Sequence, residues 1–117
     1  MATGEITHIE FPADDVERAK QFYGAVAGWT FTEFSPGYWI FRTSEGSGGG
    51  IGVRGESVGS TVRNYIEVSD LEAAVAAAEA NGGTVTTPPS DVPGQGRYAA
   101  ILDPEGTEIG LWQNAPS

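Results

Sequence analysis

Cysteine is absent from this chain of 117 residues, which excludes a disulfide framework and any thiol chemistry. Basic residues are also few: six Lys and Arg stand against 16 Asp and Glu, which gives a formal net charge of −10. Nucleic acids and anionic membrane surfaces bind clusters of Lys and Arg, so we expect no nucleic-acid and no membrane partner.

No run is long and apolar enough to span a bilayer, and residues 1–5 lack the basic and apolar parts of a signal peptide. The sequence therefore predicts a cytoplasmic protein.

Glycine and proline, in contrast, are frequent, with 17 and 7 residues, which favours short strands joined by turns. The length predicts one compact domain, and a hydrophobic content of 39% is sufficient for a core. The single histidine, His8, lies in the segment 6–11, where Ile9 and Phe11 share one face and His8 and Glu10 share the other. This alternation predicts a half-buried strand whose polar face is either solvated or lines a cavity.

The first half of the chain gives a β-α-β-β-β pattern. After the first strand, Asp14 and Asp15 offer a helix N-cap, apolar residues at helical spacing continue to Ala27, and Gly28 is a natural helix stop. Strands are predicted over 29–34 and 38–42, and a fourth strand ends at 51–53. The glycine-rich stretch before it, 46–50, is on its own typical of a flexible linker.

The second half repeats this order. We predict a strand over 64–68, a cap at Ser69 and Asp70, and a helix that stops at 81–83. Further strands follow at 84–86, 98–102 and 108–112, with the two prolines at 88 and 89 breaking the first of these. A shift of 55 residues superimposes Asp15 on Asp70, and a shift of 60 places Gly50 on Gly110, inside a strand. The repeat predicts an α+β fold of two tandem β-α-β-β-β modules, over 4–53 and 62–114, joined by a linker over 54–61.

Two short motifs are rejected on structural grounds. Residues 50–55 match G-x-G-x-x-G, but no helix opens after them to reinforce phosphate binding. Residues 55–59 match G-x-S-x-G, but a nucleophile elbow needs a strand-turn-helix and a histidine after the serine, and His8 precedes it.

A set of short segments runs in order through nearly the whole chain. They are His8, Ala13-Asp14-Asp15, Phe22-Tyr23, Gly28-Trp29, Val68-Ser69-Asp70-Leu71, Asn81-Gly82-Gly83, Asp103-Pro104-Glu105-Gly106 and Gly110-Leu111-Trp112-Gln113. Together they resemble the vicinal oxygen chelate superfamily, which includes glyoxalase I, bleomycin-resistance proteins and extradiol dioxygenases. The resemblance implies that the curved sheets of the two modules form a cavity.

The resemblance also implies where a metal would bind. In the metal-dependent members, each module gives one ligand from its first strand and one from its last. Here those positions are His8, Gly50, Arg63 and Gly110. Glycine has no ligating side chain and arginine stays cationic, so we expect no metal and no other cofactor. A different metal site assembled from Glu10, Glu67 and Glu108 is an open alternative.

Three roles are open for His8: a structural hydrogen-bonded residue, a ligand-contacting or acid-base residue, or a metal ligand. Glu10 points in the same direction, and we expect this carboxylate to raise the pKa of His8 and to hold its charged form.

A wider set of residues is predicted to line the cavity. As ligand-binding residues we expect Arg63, Tyr65, Glu67, Glu108, Trp112, Gly50 and Gly110. Aromatic walls would come from Trp29, Trp39, Trp112, Tyr38, Tyr65 and Tyr98, each of which could instead be a core residue.

The function that we infer is binding of a small organic molecule in a metal-free cavity. The alternative is a metal-independent isomerase, epimerase or cyclase with His8 and Glu10 as catalytic acid-base residues. A non-catalytic scaffold is a third reading, so enzymatic activity is left open, as is a homodimer in which the modules pair or swap between chains.

Overall fold

The computed structural model describes residues 4–116 and contains two helices and eight strands there. In chain order they are β1 (Ile6–Ala13), α1 (Val16–Ala27), β2 (Thr30–Ser35), β3 (Tyr38–Arg42), β4 (Gly48–Val53), β5 (Arg63–Glu67), α2 (Leu71–Ala80), β6 (Thr84–Val92), β7 (Gly96–Leu102) and β8 (Glu108–Asn114). The predicted α+β class and the repeated β-α-β-β-β order are confirmed. Within 4–116, neither helix has the length and apolar character needed to cross a membrane.

The described residues divide into two compact units: 8–63, the first unit, and 4–7 with 64–116, the second unit. In the first unit the strands lie in the order β2-β3-β4-β1, with β1 and β4 parallel and the other neighbours antiparallel. Helix α1 is capped by Asp15, whose carboxylate accepts from the Arg18 backbone N–H at 3.1 Å, and it ends at Gly28 in the left-handed conformation.

The core of the first unit lies on one face of its sheet. Ala13, Phe41 and Ile51 are buried there, and side chains of α1 pack against them. Burial of this apolar face fixes which side of β1 is left for polar residues, because successive side chains of a strand point to opposite faces.

The second unit has the strand order β5-β8-β7-β6, with β5 and β8 parallel. Asp70 caps α2 through a hydrogen bond from the Ala73 backbone N–H at 3.1 Å. Its core consists of Leu71, Ala99, Ile101 and Leu111.

One detail confirms the repeat register and one differs from the predictions. Gly48, Gly49 and Gly50 of the glycine-rich stretch are part of strand β4, as the register predicted for Gly50. The prolines at 88 and 89 do not break β6, which runs through them with register shifts against β7. Among the described strands, β6 pairs only with β7 and ends the sheet order of its unit, so a missing backbone N–H is tolerated there.

The predicted linker, 54–61, lies inside the first unit. An ion pair of 2.9 Å between Arg54 Nε and Asp14 Oδ1 anchors its start, and Val58 is buried. The position of a boundary between modules stays a prediction.

Candidate functional site

Strand β1 places His8 and Glu10 on the face of the first unit's sheet that points away from α1. Phe11 and Ala13 pack on the helix side, so the residues that alternate with them face the other way. Glu10 is the register partner of Gly50 on β4, and Gly52 of β4 is the register partner of Tyr38 on β3. The predicted common face of His8, Glu10 and Gly50 thus has Tyr38 added to it.

The Tyr38 hydroxyl joins His8 to Glu10. His8 Nε2 lies 2.8 Å from Tyr38 Oη, and that hydroxyl donates to Glu10 Oε2 at 2.9 Å. The direct distance from His8 Nε2 to Glu10 Oε2 is 3.9 Å, which is too long for a hydrogen bond. The phenol therefore supplies the connection that the two residues of β1 do not make themselves.

Arg63, the first residue of β5, lies beside this group. Its Nη1 is 3.8 Å from Glu10 Oε1. The side chains of Arg63 and Glu10 are only 9% and 12% exposed, whereas that of His8 is 30% exposed. A buried charge is tolerated when it is paired, so Arg63 and Glu10 stabilise each other and His8 forms the more accessible end of the cluster.

The electrostatic environment of His8 differs from the one we expected. Its pKa is lowered, first because burial disfavours the charged imidazolium and second because the positive charge of Arg42 repels it. The prediction that Glu10 raises the pKa of His8 is wrong in its net result, since these two effects prevail. A neutral imidazole at neutral pH can accept a proton, which an imidazolium cannot.

The structure explains why position 50 is a glycine, whereas the sequence predicted only that Gly50 lies in a strand. A β-carbon at Gly50 would collide with the hydroxyl and ring carbons of Tyr38. One at Gly52 would approach the same ring and would also crowd Ser57 and Val58. The two glycines thus make room for Tyr38, which the sequence suggested as an aromatic wall and not as a hydrogen-bonding member of the site.

The other predicted ligand-binding residues belong to the second unit. Tyr65 pairs in register with Gly110, and Glu67 pairs with Trp112, so these four side-chain positions share one face. The Tyr65 ring covers Gly110, where a β-carbon would collide with it. Glu108 accepts a hydrogen bond of 3.2 Å from the Thr86 hydroxyl. A ligand-binding role for Arg63, Tyr65, Glu67, Glu108, Trp112, Gly50 and Gly110 stays a prediction.

Two of the suggested wall aromatics lie on the helix side of the sheet of the first unit. Trp29 stacks on Phe41 with ring centroids 4.0 Å apart, and Trp39 lies under the ammonium group of Lys20 at 3.0 Å. Trp39 follows Tyr38 in β3 and therefore points to the opposite face, whereas Trp29 precedes β2 and packs against the core of the first unit.

The described residues do not fit the metal site that the resemblance implies. Gly50 and Gly110 have no side-chain donor atom, and Arg63 is a cation paired with a carboxylate. Between residues 4 and 116, no three His, Cys, Asp or Glu side chains come close enough together to hold a metal ion, the set of Glu10, Glu67 and Glu108 included.

The model of the Glyoxalase/Bleomycin resistance protein/Dioxygenase superfamily matches residues 5–111. The chain belongs to this superfamily. The proteins named "Putative glyoxylase CFP32" of Mycobacterium bovis and Mycobacterium tuberculosis are 32% identical to it over 119 residues, with 97% of this chain and 46% of theirs covered. The chain thus spans about half the length of the curated relatives it matches.

Solved structures show the same fold. Methylmalonyl-CoA epimerase from Mycobacterium tuberculosis has a TM-score of 0.69 at 18% identity, over 99% of this chain and 93% of that one. A Mn(II)-bound glyoxalase from Novosphingobium aromaticivorans has a TM-score of 0.69 at 19% identity, over 95% of this chain and 39% of that one. At these identities the similarity establishes the fold alone.

Proposed function

We propose that this chain binds a small organic molecule with an anionic or carbonyl oxygen, in a site that uses no divalent metal. The observation that carries the proposal is the hydrogen-bonded cluster of His8, Tyr38 and Glu10, with Arg63 beside it, on the sheet face turned away from α1. A few fixed polar groups beside apolar surface are typical of ligand sites.

The surroundings of the cluster support both parts of such a ligand. Arg42, an exposed cation on the same strand as Tyr38, provides charge for an anionic oxygen. Phe34 is 52% exposed and its ring lies 6.2 Å from that of Tyr38, edge to face, so it offers apolar contact. A ligand with an acidic or carbonyl head and an apolar body matches this combination.

A thermal-shift screen tests the proposal. Carboxylic acids, 1,2-dicarbonyl compounds, acyl thioesters and aromatic antibiotics are added to the wild-type protein and to the His8→Ala variant. A ligand of the native state at 100 times its Kd stabilises by about 2.7 kcal/mol and raises the melting temperature by several degrees. We expect a hit whose shift is reduced in His8→Ala and retained in Arg18→Gln, which removes an exposed cation of α1. Equal shifts in all three proteins would refute the assignment of the site.

The metal-free character has its own measurement. Elemental analysis of the purified protein, before and after incubation with Mn²⁺, Zn²⁺ or Ni²⁺ and desalting, should find much less than one metal per chain. A stoichiometric transition metal that is lost in His8→Ala would overturn this part of the proposal.

The same cluster supports a second candidate, a metal-independent isomerase, epimerase or cyclase. The observation in its favour is a histidine with a lowered pKa, connected to a carboxylate through a phenol, which is a suitable acid-base arrangement. For any hit with an acidic C–H bond, NMR in D₂O would measure deuterium incorporation. Incorporation that is lost in His8→Ala while binding persists favours the enzyme, and binding without incorporation favours the binding protein.

A further inference from the structure

The position of one hydroxyl determines the arrangement of protons in this site. Tyr38 Oη has a single proton, which it donates to Glu10 Oε2 at 2.9 Å. The contact of 2.8 Å between Tyr38 Oη and His8 Nε2 is then a hydrogen bond only if Nε2 carries a proton. In neutral His8 this leaves the lone pair on Nδ1, the basic nitrogen of the ring.

The same hydroxyl occupies space that another residue would otherwise need. Gly50 stands at one of the metal-ligand positions that the superfamily resemblance implies, and its missing side chain leaves the volume that Tyr38 Oη fills. Any side chain at position 50 would collide with the phenol in its present place. Tyr38 belongs to the neighbouring strand β3, so a side chain of the adjacent strand fills this volume.

We propose that Tyr38 is the positioning residue of this site: its hydroxyl takes the place of a ligating side chain at position 50 and holds His8 as the Nε2–H tautomer by donating its own proton to Glu10. The consequence of the proposal for ligand chemistry rests on the proposed function, but its test does not. A tautomer fixed in this way presents Nδ1 as the only basic atom of the ring, which an acid-base role for His8 would use.

The test is the ¹⁵N NMR spectrum of the imidazole of His8 without any ligand. Since His8 is the only histidine of the chain, its two ring nitrogens are observed without overlap. At a pH where the ring is neutral, we expect wild-type protein to show the Nε2–H tautomer. In Tyr38→Phe the acceptor for this proton is gone, so the ratio of the two tautomers should change about fivefold, the size of effect that one net hydrogen bond gives.

Two further variants keep the test decisive. Tyr98→Phe makes the same change at the residue that corresponds to Tyr38 in the second half, and we expect it to leave the His8 spectrum unchanged. If Tyr38→Phe does not fold, Gly50→Ala displaces the hydroxyl sterically and should shift the tautomer ratio in the same direction.

Two results would overturn the proposal: a wild-type His8 in the Nδ1–H tautomer, or a tautomer ratio that neither Tyr38→Phe nor Gly50→Ala alters. The proposed function can fail independently of this proposal. If His8 is held as the Nε2–H tautomer but no compound binds in the thermal-shift screen, only the proposed function is refuted.

Discussion

The two units of this protein fill the space above an equivalent glycine with tyrosines from different strands. Each has a glycine in its last strand, Gly50 in β4 and Gly110 in β8, at positions related by the internal repeat. In the first unit the space above the glycine is filled by Tyr38 from the antiparallel neighbour, whereas in the second unit it is filled by Tyr65 from the parallel first strand.

This difference decides which unit carries hydrogen-bonded acid-base groups. Because Tyr38 comes from β3, the β1 position opposite Gly50 remains available for Glu10, and a carboxylate and a phenol can meet there. In the second unit the corresponding position is Tyr65 itself, and its ring meets that of Tyr98 with centroids 6.5 Å apart. Two equivalent glycines are therefore compatible with a polar cluster in one unit and an aromatic one in the other.

The largest effect is expected from breaking the buried ion pair of the first unit. Arg63→Met leaves the Glu10 carboxylate buried beside an apolar side chain, and the loss of one partner of such a pair costs about 3 kcal/mol or more in the free energy of unfolding. Urea denaturation monitored by tryptophan fluorescence measures this change.

The matched control lies in the second unit. Arg97 forms ion pairs with Glu72 and Asp91 at 2.7 and 3.0 Å, but both carboxylates are well exposed to solvent. Arg97→Met should therefore change stability much less than Arg63→Met. A similar loss in both variants would show that burial does not distinguish the two arginines. The double variant Glu10→Gln/Arg63→Met should recover part of the loss.

The two glycines themselves give the next largest effect. In Gly110→Ala the new methyl group meets ring atoms of Tyr65, which is 5% exposed and has little room to move. In Gly50→Ala it meets first the hydroxyl end of the half-buried Tyr38, which can tilt. Overpacking of this kind costs about 1–3 kcal/mol, and we expect Gly110→Ala near the upper end and Gly50→Ala near the lower end.

Gly24→Ala serves as the control for the method. Gly24 lies within α1, its β-carbon would have no neighbour closer than 3.7 Å, and alanine is the better helix former, so stability should rise by about 0.5 kcal/mol. A larger loss for Gly50→Ala than for Gly110→Ala would contradict the view that Tyr38 yields more easily than Tyr65.

How far the sequence alone predicts this molecule depends on the distance over which each feature is determined. The caps Asp15 and Asp70 and the alternation around His8 are local signals, and they predict the elements and the faces correctly. The bridge from Tyr38 to Glu10 depends on the pairing of β3 with β4 and of β4 with β1, which no local pattern specifies. The sequence does contain one signal for this bridge. Gly50 and Gly52 are two residues apart in β4 and share the face on which the neighbouring strand places a large side chain.

The electrostatic environment of His8 could not be predicted from the sequence either, because it also depends on contacts between residues that are distant in the chain. The neighbour in sequence, Glu10, predicts a raised pKa, whereas burial and Arg42, which come from folding, lower it. The adjacent carboxylate was visible in the sequence, but neither the depth of the site nor the closeness of β3 to β1 was.

The smallest effect, a change in the titration of His8, separates these two causes. Arg42→Gln removes the positive charge, so the pKa of His8 should rise toward its ordinary value but stay below it, because burial is the larger cause and remains. Titration of the single imidazole by NMR measures this, with Arg18→Gln as a control that should leave the pKa unchanged. The other charged or titratable groups of this site, Glu10, Tyr38 and Arg63, are the same in both variants.

A lowered pKa means that the folded protein resists protonation of His8. Its contribution to stability is therefore present above about pH 6.5 and is lost as the pH falls through the lowered pKa. Arg42→Gln should make this acid-induced loss smaller, and an unchanged loss would show that burial alone sets the pKa.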